Sequence, residues 1–212
     1  MYNNDAKKCL TGEVRCSYEY LKTPQAPPVD ASGTPNGKPK YGFTLLIPKS
    51  DEATKKDLES AITAAYEEAV TKVFNGARPA CPQLIWDGDG LRKSGVPFGA
   101  ECKGHWVMTA KSVRKPDVLE IRTDPNGRSF LAEVAPQDIY SGMYCRATVH
   151  FYAFSQKTSK GIGCGLDNVL KTHDGEPLSG GTSGTEDFGG MVSAPADSAL
   201  QTQPGPSSNI PF

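Results

Sequence analysis

The sequence predicts a mainly β fold, a small barrel with one inserted α-helix and a disordered C-terminal tail. Short segments that alternate apolar and polar residues recur between turn signals along the first 178 residues. Helical periodicity occurs in one segment, at about residues 51–75. About five to seven short strands with one helix between early strands are typical of a closed or partly closed barrel, and the OB-fold is the natural candidate.

The first two strands are predicted on either side of a long link. Residues 1–13 are polar and show no pattern of regular structure. Glu13–Leu21 alternates apolar with polar residues, and Lys40–Pro48 is a second run that ends at proline, which cannot continue a strand ladder. The link Thr23–Pro39 contains five prolines and two glycines, which exclude regular structure.

A helix is predicted from Ser50 to Asn75. Ser50 is the expected N-cap, acidic residues follow in the first turn, and Gly76 provides the C-terminal stop. Apolar residues at helical spacing form one stripe, so we expect the helix to pack on the barrel. They are Leu58, Ala61, Ile62, Ala65, Ala69, Val70 and Val73.

Further strands are predicted after the helix, separated by turns. Two of them are His105–Val113 and Val118–Arg122, and the apolar segment Leu84–Trp86 precedes them. Asp87–Gly90 and Asp124–Gly127 have the composition of tight turns, and residues 91–104 are predicted to be irregular. Ile162–Leu170 is either a last strand or a short helical piece.

The longest strand-like run is Ile139–Phe154. From Met143 one face is apolar and is expected to enter the core. The opposite face carries rings and a guanidinium, which could stack bases and hold phosphates; burial of both faces is the alternative. Its residues are Tyr144, Arg146, Thr148, His150, Tyr152 and Phe154.

The cysteines and histidines show no spacing of metal ligands. None of the six cysteines forms a Cys-x-x-Cys pair and the three histidines are scattered, so reduced, buried thiols are expected rather than a metal site or disulfides. We therefore expect no cofactor. The six are Cys9, Cys16, Cys81, Cys102, Cys145 and Cys164.

The distribution of charge is informative although the net charge is −1. Up to Lys171 the chain has 23 basic and 19 acidic residues, whereas residues 172–212 have five acidic and no basic residues. A basic body with an acidic tail occurs in nucleic-acid binders. No apolar run is long enough to span a membrane and the N-terminus lacks a signal segment, so we expect a cytoplasmic protein.

Three motifs have possible catalytic interpretations. Asp87 and Asp89 could hold Mg²⁺ in a nuclease, but no further acid or histidine lies near them in sequence, and the motif is good turn chemistry. Gly161–Gly165 lacks the Lys-Ser/Thr ending of a phosphate loop. Cys102 or Cys164 has no visible histidine–acid partner for nucleophilic catalysis.

Aromatic and basic residues are interleaved on several predicted strands. Together they would give a barrel face on which single-strand bases stack while cations follow the phosphates. The candidate nucleic-acid-binding residues are Arg15, Tyr18, Lys40, Tyr41, Phe43, Lys49, Trp106, Lys111, Arg146 and Tyr152.

The tail, residues 179–212, is predicted to be disordered because its composition cannot bury enough apolar surface. It ends in Ile210, Pro211 and Phe212, an apolar terminus that could enter a small basic-rimmed pocket on a partner protein. Residues 1–178 are the predicted folded domain.

Two resemblances agree with this interpretation. The ending Asn209–Phe212 resembles the C-terminal peptide of bacterial single-stranded DNA-binding proteins, with Ser207, Ser208 and Asn209 where that family has aspartates. The body resembles a tailed-phage single-stranded DNA-binding protein family, once catalogued as a domain of unknown function. The matching segments are Lys40–Lys49, Trp86–Asp89, Ile139–Ala147, Gly161–Leu166 and His173–Leu178.

The resemblance implies a non-enzymatic OB-fold protein that binds single strands without sequence preference in phage DNA replication, recombination or repair. Its tail would recruit replication or recombination proteins, and a homo-oligomer is possible. The alternatives are a Mg²⁺-dependent nuclease centred on Asp87 and Asp89, and a structural or assembly protein without a nucleic-acid role.

Overall fold

The computed structural model describes residues 5–156 and 159–178. This part of the chain contains nine strands and one helix. They are β1 (Lys8–Leu10), β2 (Val14–Gln25), β3 (Lys40–Pro48), α1 (Glu52–Lys72), β4 (Trp86–Asp87), β5 (His105–Ser112), β6 (Asp117–Thr123), β7 (Ser129–Glu133), β8 (Tyr144–Ser155) and β9 (Lys160–His173). Among the described residues, no helix combines the length and the apolar character needed to cross a membrane.

Five strands pair in a closed ring, in the order β2, β3, β5, β9, β8 and back to β2. All neighbours are antiparallel except β5 and β9, which are parallel. A five-stranded ring with a helix inserted between its second and third members agrees with the OB-like fold predicted from the strand pattern. The β6–β7 hairpin extends the sheet from β9, and β1 is added to the edge of β8.

The helix α1 closes the core next to β1, β8 and β9. The expected stripe is partly confirmed: Leu58, Ala61, Ala65 and Ala69 are buried, whereas Val73 is 38% exposed because it caps the helix end. The predicted N-cap Ser50 was wrong. Asp51 caps the helix, accepting a hydrogen bond from the Thr54 amide over 3.0 Å.

Several strand boundaries differ from the sequence-based prediction. β1 was missed because it has three residues and pairs with β8, which is distant in the sequence, and β7 was missed because its side chains are largely exposed. The strand predicted from Ile139 begins at Tyr144, since a 3₁₀ turn and Gly142 at φ 123° precede it, and its 12 residues make it shorter than β9 with 14. Residues 160–173 are a strand throughout.

The alternating pattern of β8 is confirmed in the core. Cys145, Ala147, Val149 and Phe151 are buried, while side chains on the other face are half-buried or exposed. Five of the six cysteines are buried, as predicted, whereas Cys81 is half-buried. Burial raises the pKa of Cys9 to about 11 and that of Cys145 to about 12.

Candidate nucleic-acid interface

A cleft of about 320 Å³ lies on the outer face of β2, β3 and β5. Its walls come from these strands and from the loop that joins β4 to β5. The lining residues are Tyr18, Tyr20, Gln25, Lys40, Tyr41, Gly42, Phe43, Thr44, Arg92, Phe98, Cys102, Val107, Thr109 and Lys111. Part of its floor is the cross-strand pair Thr44–Thr109, whose hydroxyls are 3.2 Å apart.

A bulge in β2 sends Tyr18 outward. The register between β2 and β3 shifts between Ser17 and Tyr20, and Tyr18 has a positive φ of 48°. An L-residue other than glycine rarely adopts this conformation, and the bulge leaves the Tyr18 side chain 55% exposed. The strained backbone therefore presents a large ring at the cleft instead of burying it.

The charge of the cleft is uniformly positive. Lys40, Arg92 and Lys111 line it, and no acidic residue does so among the described residues. The Arg92 guanidinium lies 5.3 Å from the ring centroid of Phe98, and Lys111 Nζ donates a 3.1 Å hydrogen bond to Gln25. Aromatic rings beside three cations suit a ligand with flat bases and an anionic backbone.

The β4–β5 loop, residues 88–104, is fastened at its base by ionic contacts. Lys49 Nζ lies 2.5 Å from Oδ1 of Asp87 and 2.7 Å from Oδ2 of Asp89. Asp89 also accepts a 3.0 Å hydrogen bond from the Gly104 amide, at the far end of the loop. Hydrogen bonds to Lys49 lower the pKa of both carboxyl groups.

This arrangement argues against the nuclease alternative. The Lys49 ammonium stands between the two carboxylates, where Mg²⁺ would have to bind. Among the described residues, no group of three or more His, Cys, Asp or Glu side chains could hold a metal ion. Asp87 and Asp89 act as loop anchors.

Half of the ten predicted binding residues meet in the cleft. They are Tyr18, Lys40, Tyr41, Phe43 and Lys111. The prediction of Phe43 as a stacking residue is corrected. Only 1% of this side chain is exposed, because it lies on the inner face of β3 and packs in the core. Its ring has no free face on which a base could stack.

The other five residues lie outside the cleft. The Arg15 guanidinium donates to the carbonyls of Gly142 and Glu176, and Arg146 Nε donates to the carbonyl of Thr11, so both hold backbone segments together. Lys49 is the loop anchor described above. These three were predicted from residue type alone, which does not reveal an internal partner.

Trp106 and Tyr152 lie on other parts of the ring. The Trp106 ring packs against the core beside α1, with Lys49 Nζ at 5.0 Å and Lys55 Nζ at 4.8 Å from its centroid. Tyr152 lies on the outer face of β8 and is 43% exposed. Trp106 is therefore held by neighbouring ammonium groups, whereas Tyr152 keeps an open face.

Sequence reasoning missed several residues of the cleft. Tyr20 follows Tyr18 at strand spacing, but unbroken alternation would place both rings on the buried side with Val14 and Cys16. The bulge that ends this alternation is not visible in the sequence. Arg92 and Phe98 belong to the segment 91–104, which was predicted only as irregular. The sequence signal that could have identified them is an arginine and a phenylalanine close together in a glycine-rich loop.

Comparison with known proteins gives concordant matches. The family model described as the ssDNA-binding protein of Enterobacter phage Enc34 matches residues 7–199. Putative protein p50 of Acyrthosiphon pisum secondary endosymbiont phage 1 is 26% identical over 182 residues, which cover 82% of this chain and 90% of the relative.

Two solved structures are similar over most of their length. The single-stranded DNA-binding protein from bacteriophage Enc34 matches with 30% identity and a TM-score of 0.61, covering 86% of this chain and 89% of that chain. The same phage protein in complex with ssDNA matches with 28% identity and a TM-score of 0.63, covering 82% of this chain and 90% of that chain.

Proposed function

Because this chain belongs to the Enterobacter phage Enc34 family of ssDNA-binding proteins, we propose that it binds single-stranded DNA in the cleft of β2, β3 and β5. The observation that carries the proposal is the composition of this cleft, whose lining has three cations, no carboxylate and, besides the buried Phe43, four aromatic rings that are not buried. The similar Enc34 protein has been solved in complex with ssDNA, which supports the same ligand here.

The cleft can provide affinity without reading sequence. Bases would stack on Tyr18, Tyr20 and Tyr41, and stacking contributes about 1–3 kcal/mol per base whichever base is present. Phosphates would contact Lys40, Lys111 and Arg92, and release of their counterions makes binding weaken as salt rises. We therefore expect little sequence preference and a non-enzymatic role.

The biological role follows from this activity. The protein would cover single strands exposed during phage DNA replication, recombination or repair, in the cytoplasm of the bacterial host. We further propose that Ile210, Pro211 and Phe212 recruit replication or recombination proteins. These residues, like the whole segment 179–212, lie outside the described residues.

The direct test is fluorescence anisotropy with labelled oligo-dT and the corresponding duplex at several salt concentrations. We expect tight, salt-sensitive binding of the single strand, much weaker binding of the duplex, and no cleavage of either strand when Mg²⁺ is added. The double variant Tyr41→Ala/Lys111→Ala should bind far more weakly. Equal affinity of that variant and the parent would refute the cleft as the binding site.

A further inference from the structure

The outer face of β8 and β9 carries a ladder of rings paired with glycines. His150, Tyr152 and Phe154 of β8 lie directly opposite Gly165, Gly163 and Gly161 of β9, respectively. These glycines form the Gly-Ile-Gly-Cys-Gly segment, which is not a phosphate loop because it lies within a strand. We therefore ask what these glycines do for the three rings that lie opposite them.

Each ring lies close above its glycine. A Cβ atom at Gly163 would be 2.6 Å from Cζ of Tyr152, and one at Gly161 would be 2.8 Å from Cδ of Pro82 and 3.0 Å from Cζ of Phe154. At Gly165 it would collide with the imidazole of His150. The rings thus extend across β9 at positions where any larger residue would displace them, so the strand backbone supports them from below.

This ladder is continuous with the cleft. Around the ring of strands, Tyr20 pairs with Gly42, Gly42 with Lys111, Lys111 with Gly165, and Gly165 with His150. Directly paired residues point to the same side of a sheet, so this row lies on one outer surface. At about 4.8 Å per strand the row is about 19 Å long, which is enough to extend a nucleic-acid path beyond the cleft.

The ladder also has the chemistry of a stacking surface. Tyr152 is 43% exposed, and its neighbours His150 and Phe154 are each half-buried. Successive side chains on one face of a strand are about 6.6 Å apart, roughly twice the 3.4 Å spacing of stacked bases in a duplex strand. Bases on neighbouring rings would therefore be separated from each other, as an extended single strand allows.

A cation stands at the cleft end of this surface. Lys111 pairs with Gly165 there, whereas Lys160, paired with Ser155, belongs to the opposite face of the sheet by alternation. Two carboxylates are near this surface. Glu68 lines a small pocket with Tyr152, where it is paired with Lys7 and Lys72, and Asp167 Oδ1 lies 2.8 Å from His150 Nδ1. Asp167 disfavours a phosphate at His150, so Tyr152 is the best-placed ring to receive a base.

We propose that the ladder is a second stacking site for single-stranded DNA, centred on Tyr152 and supported by Gly163, which takes the nucleotides that leave the cleft past Lys111. The inference rests on the proposed function, because the strand must first occupy the cleft. It assigns the glycine-rich segment a role in DNA binding, namely to keep the rings flat and accessible.

The test compares variants of Tyr152 across a series of oligo-dT strands from about 4 to about 16 nucleotides, a range that spans the known site sizes of OB-folds. Tyr152→Leu keeps an apolar cover over Gly163 but removes the aromatic face. Tyr152→Phe is the matched control that keeps the ring. Gly163→Val keeps Tyr152 but displaces its ring. Thermal unfolding of each variant checks that it is folded.

We expect Tyr152→Leu and Gly163→Val to bind the longest strands about 5-fold or more weakly than the parent, the loss that corresponds to one stacked base. Their affinity for the shortest strand, which the cleft alone accommodates, should be unchanged, and Tyr152→Phe should bind like the parent at every length.

Unchanged affinity of Tyr152→Leu for long strands would overturn the second site while leaving the cleft intact. An equal loss at every length would also overturn it, since Tyr152 would then belong to the cleft. A parent protein that binds no strand would refute the proposed function itself.

Discussion

Lys49 and Asp87 form a 2.5 Å ion pair that fixes the start of the β4–β5 loop to the end of β3. The backbone strengthens this attachment, because the Lys49 amide donates to Gly104 and the Gly88 amide donates to His105. Both ends of the loop are thus held at the sheet, and its middle is left to form a wall of the cleft. Lys49, predicted to contact DNA, and Asp87 and Asp89, considered as metal ligands, therefore hold the β4–β5 loop in place instead.

Removal of the anchor should loosen the loop. In Lys49→Met the carboxylates of Asp87 and Asp89 lose their shared cation, so we expect faster proteolysis between residues 88 and 104 and weaker binding of oligo-dT. Lys56→Met, on an exposed position of α1, is the matched control and should change neither. The outcome that contradicts the anchoring role is a variant loop that resists protease as well as the parent does.

The anchor should also depend on pH. Asp87 and Asp89 have pKa values lowered by Lys49, so their contribution is present above the unfolded aspartate value of about 3.9 and is lost as the pH falls through the lower folded values. Amide hydrogen exchange of residues 88–104 should therefore accelerate in acid, after allowance for intrinsic exchange rates. In Lys49→Met the pKa values return toward the unfolded value, so the loop should already exchange faster at neutral pH and its further acceleration in acid should be smaller than in the parent.

Lys111 should contribute one phosphate contact. The slope of log K against log salt is negative, and each such contact makes it steeper by about 0.7 for single strands. Lys111→Gln should therefore make the slope shallower by about this amount and weaken binding to all sequences alike. Lys56→Gln carries the same charge change on α1 and should leave the slope unaltered. Salt titrations of the three proteins give the comparison, and identical slopes would place Lys111 outside the DNA path.

Tyr18 should show opposite effects on stability and binding. Its positive φ costs an L-residue roughly 1–2 kcal/mol, and glycine adopts this conformation without that penalty. Tyr18→Gly should therefore unfold at the same or a higher denaturant concentration than the parent, although it loses a large side chain, while its affinity for oligo-dT falls. A variant that is less stable but binds normally would show that the ring serves packing.

The strand pattern could be predicted from the sequence because alternation reports directly which side of a strand is buried. β3 and the buried face of β8 followed from it. The cleft could be predicted only in part, because a pattern does not distinguish Phe43, which enters the core, from Tyr41, which lines the cleft two residues earlier in the same strand. Partners distant in sequence, such as the Arg15 contact with Glu176, determine which cations are available to a ligand.

Two truncations of the tail should distinguish the effect of its acidic residues from the effect of its apolar terminus. Residues 179–212 contain Glu186, Asp187 and Asp197 and no basic residue, so their removal takes away only negative charge. Because the cleft is cationic, we expect the truncated protein to bind oligo-dT more tightly at low salt, with the difference vanishing as salt screens the charges. Removal of Ile210, Pro211 and Phe212 alone changes no side-chain charge and should leave DNA affinity unaltered while abolishing recruitment of partner proteins. If the short truncation strengthened DNA binding as much as the long one, the apolar terminus rather than the acidic residues would be competing for the cleft.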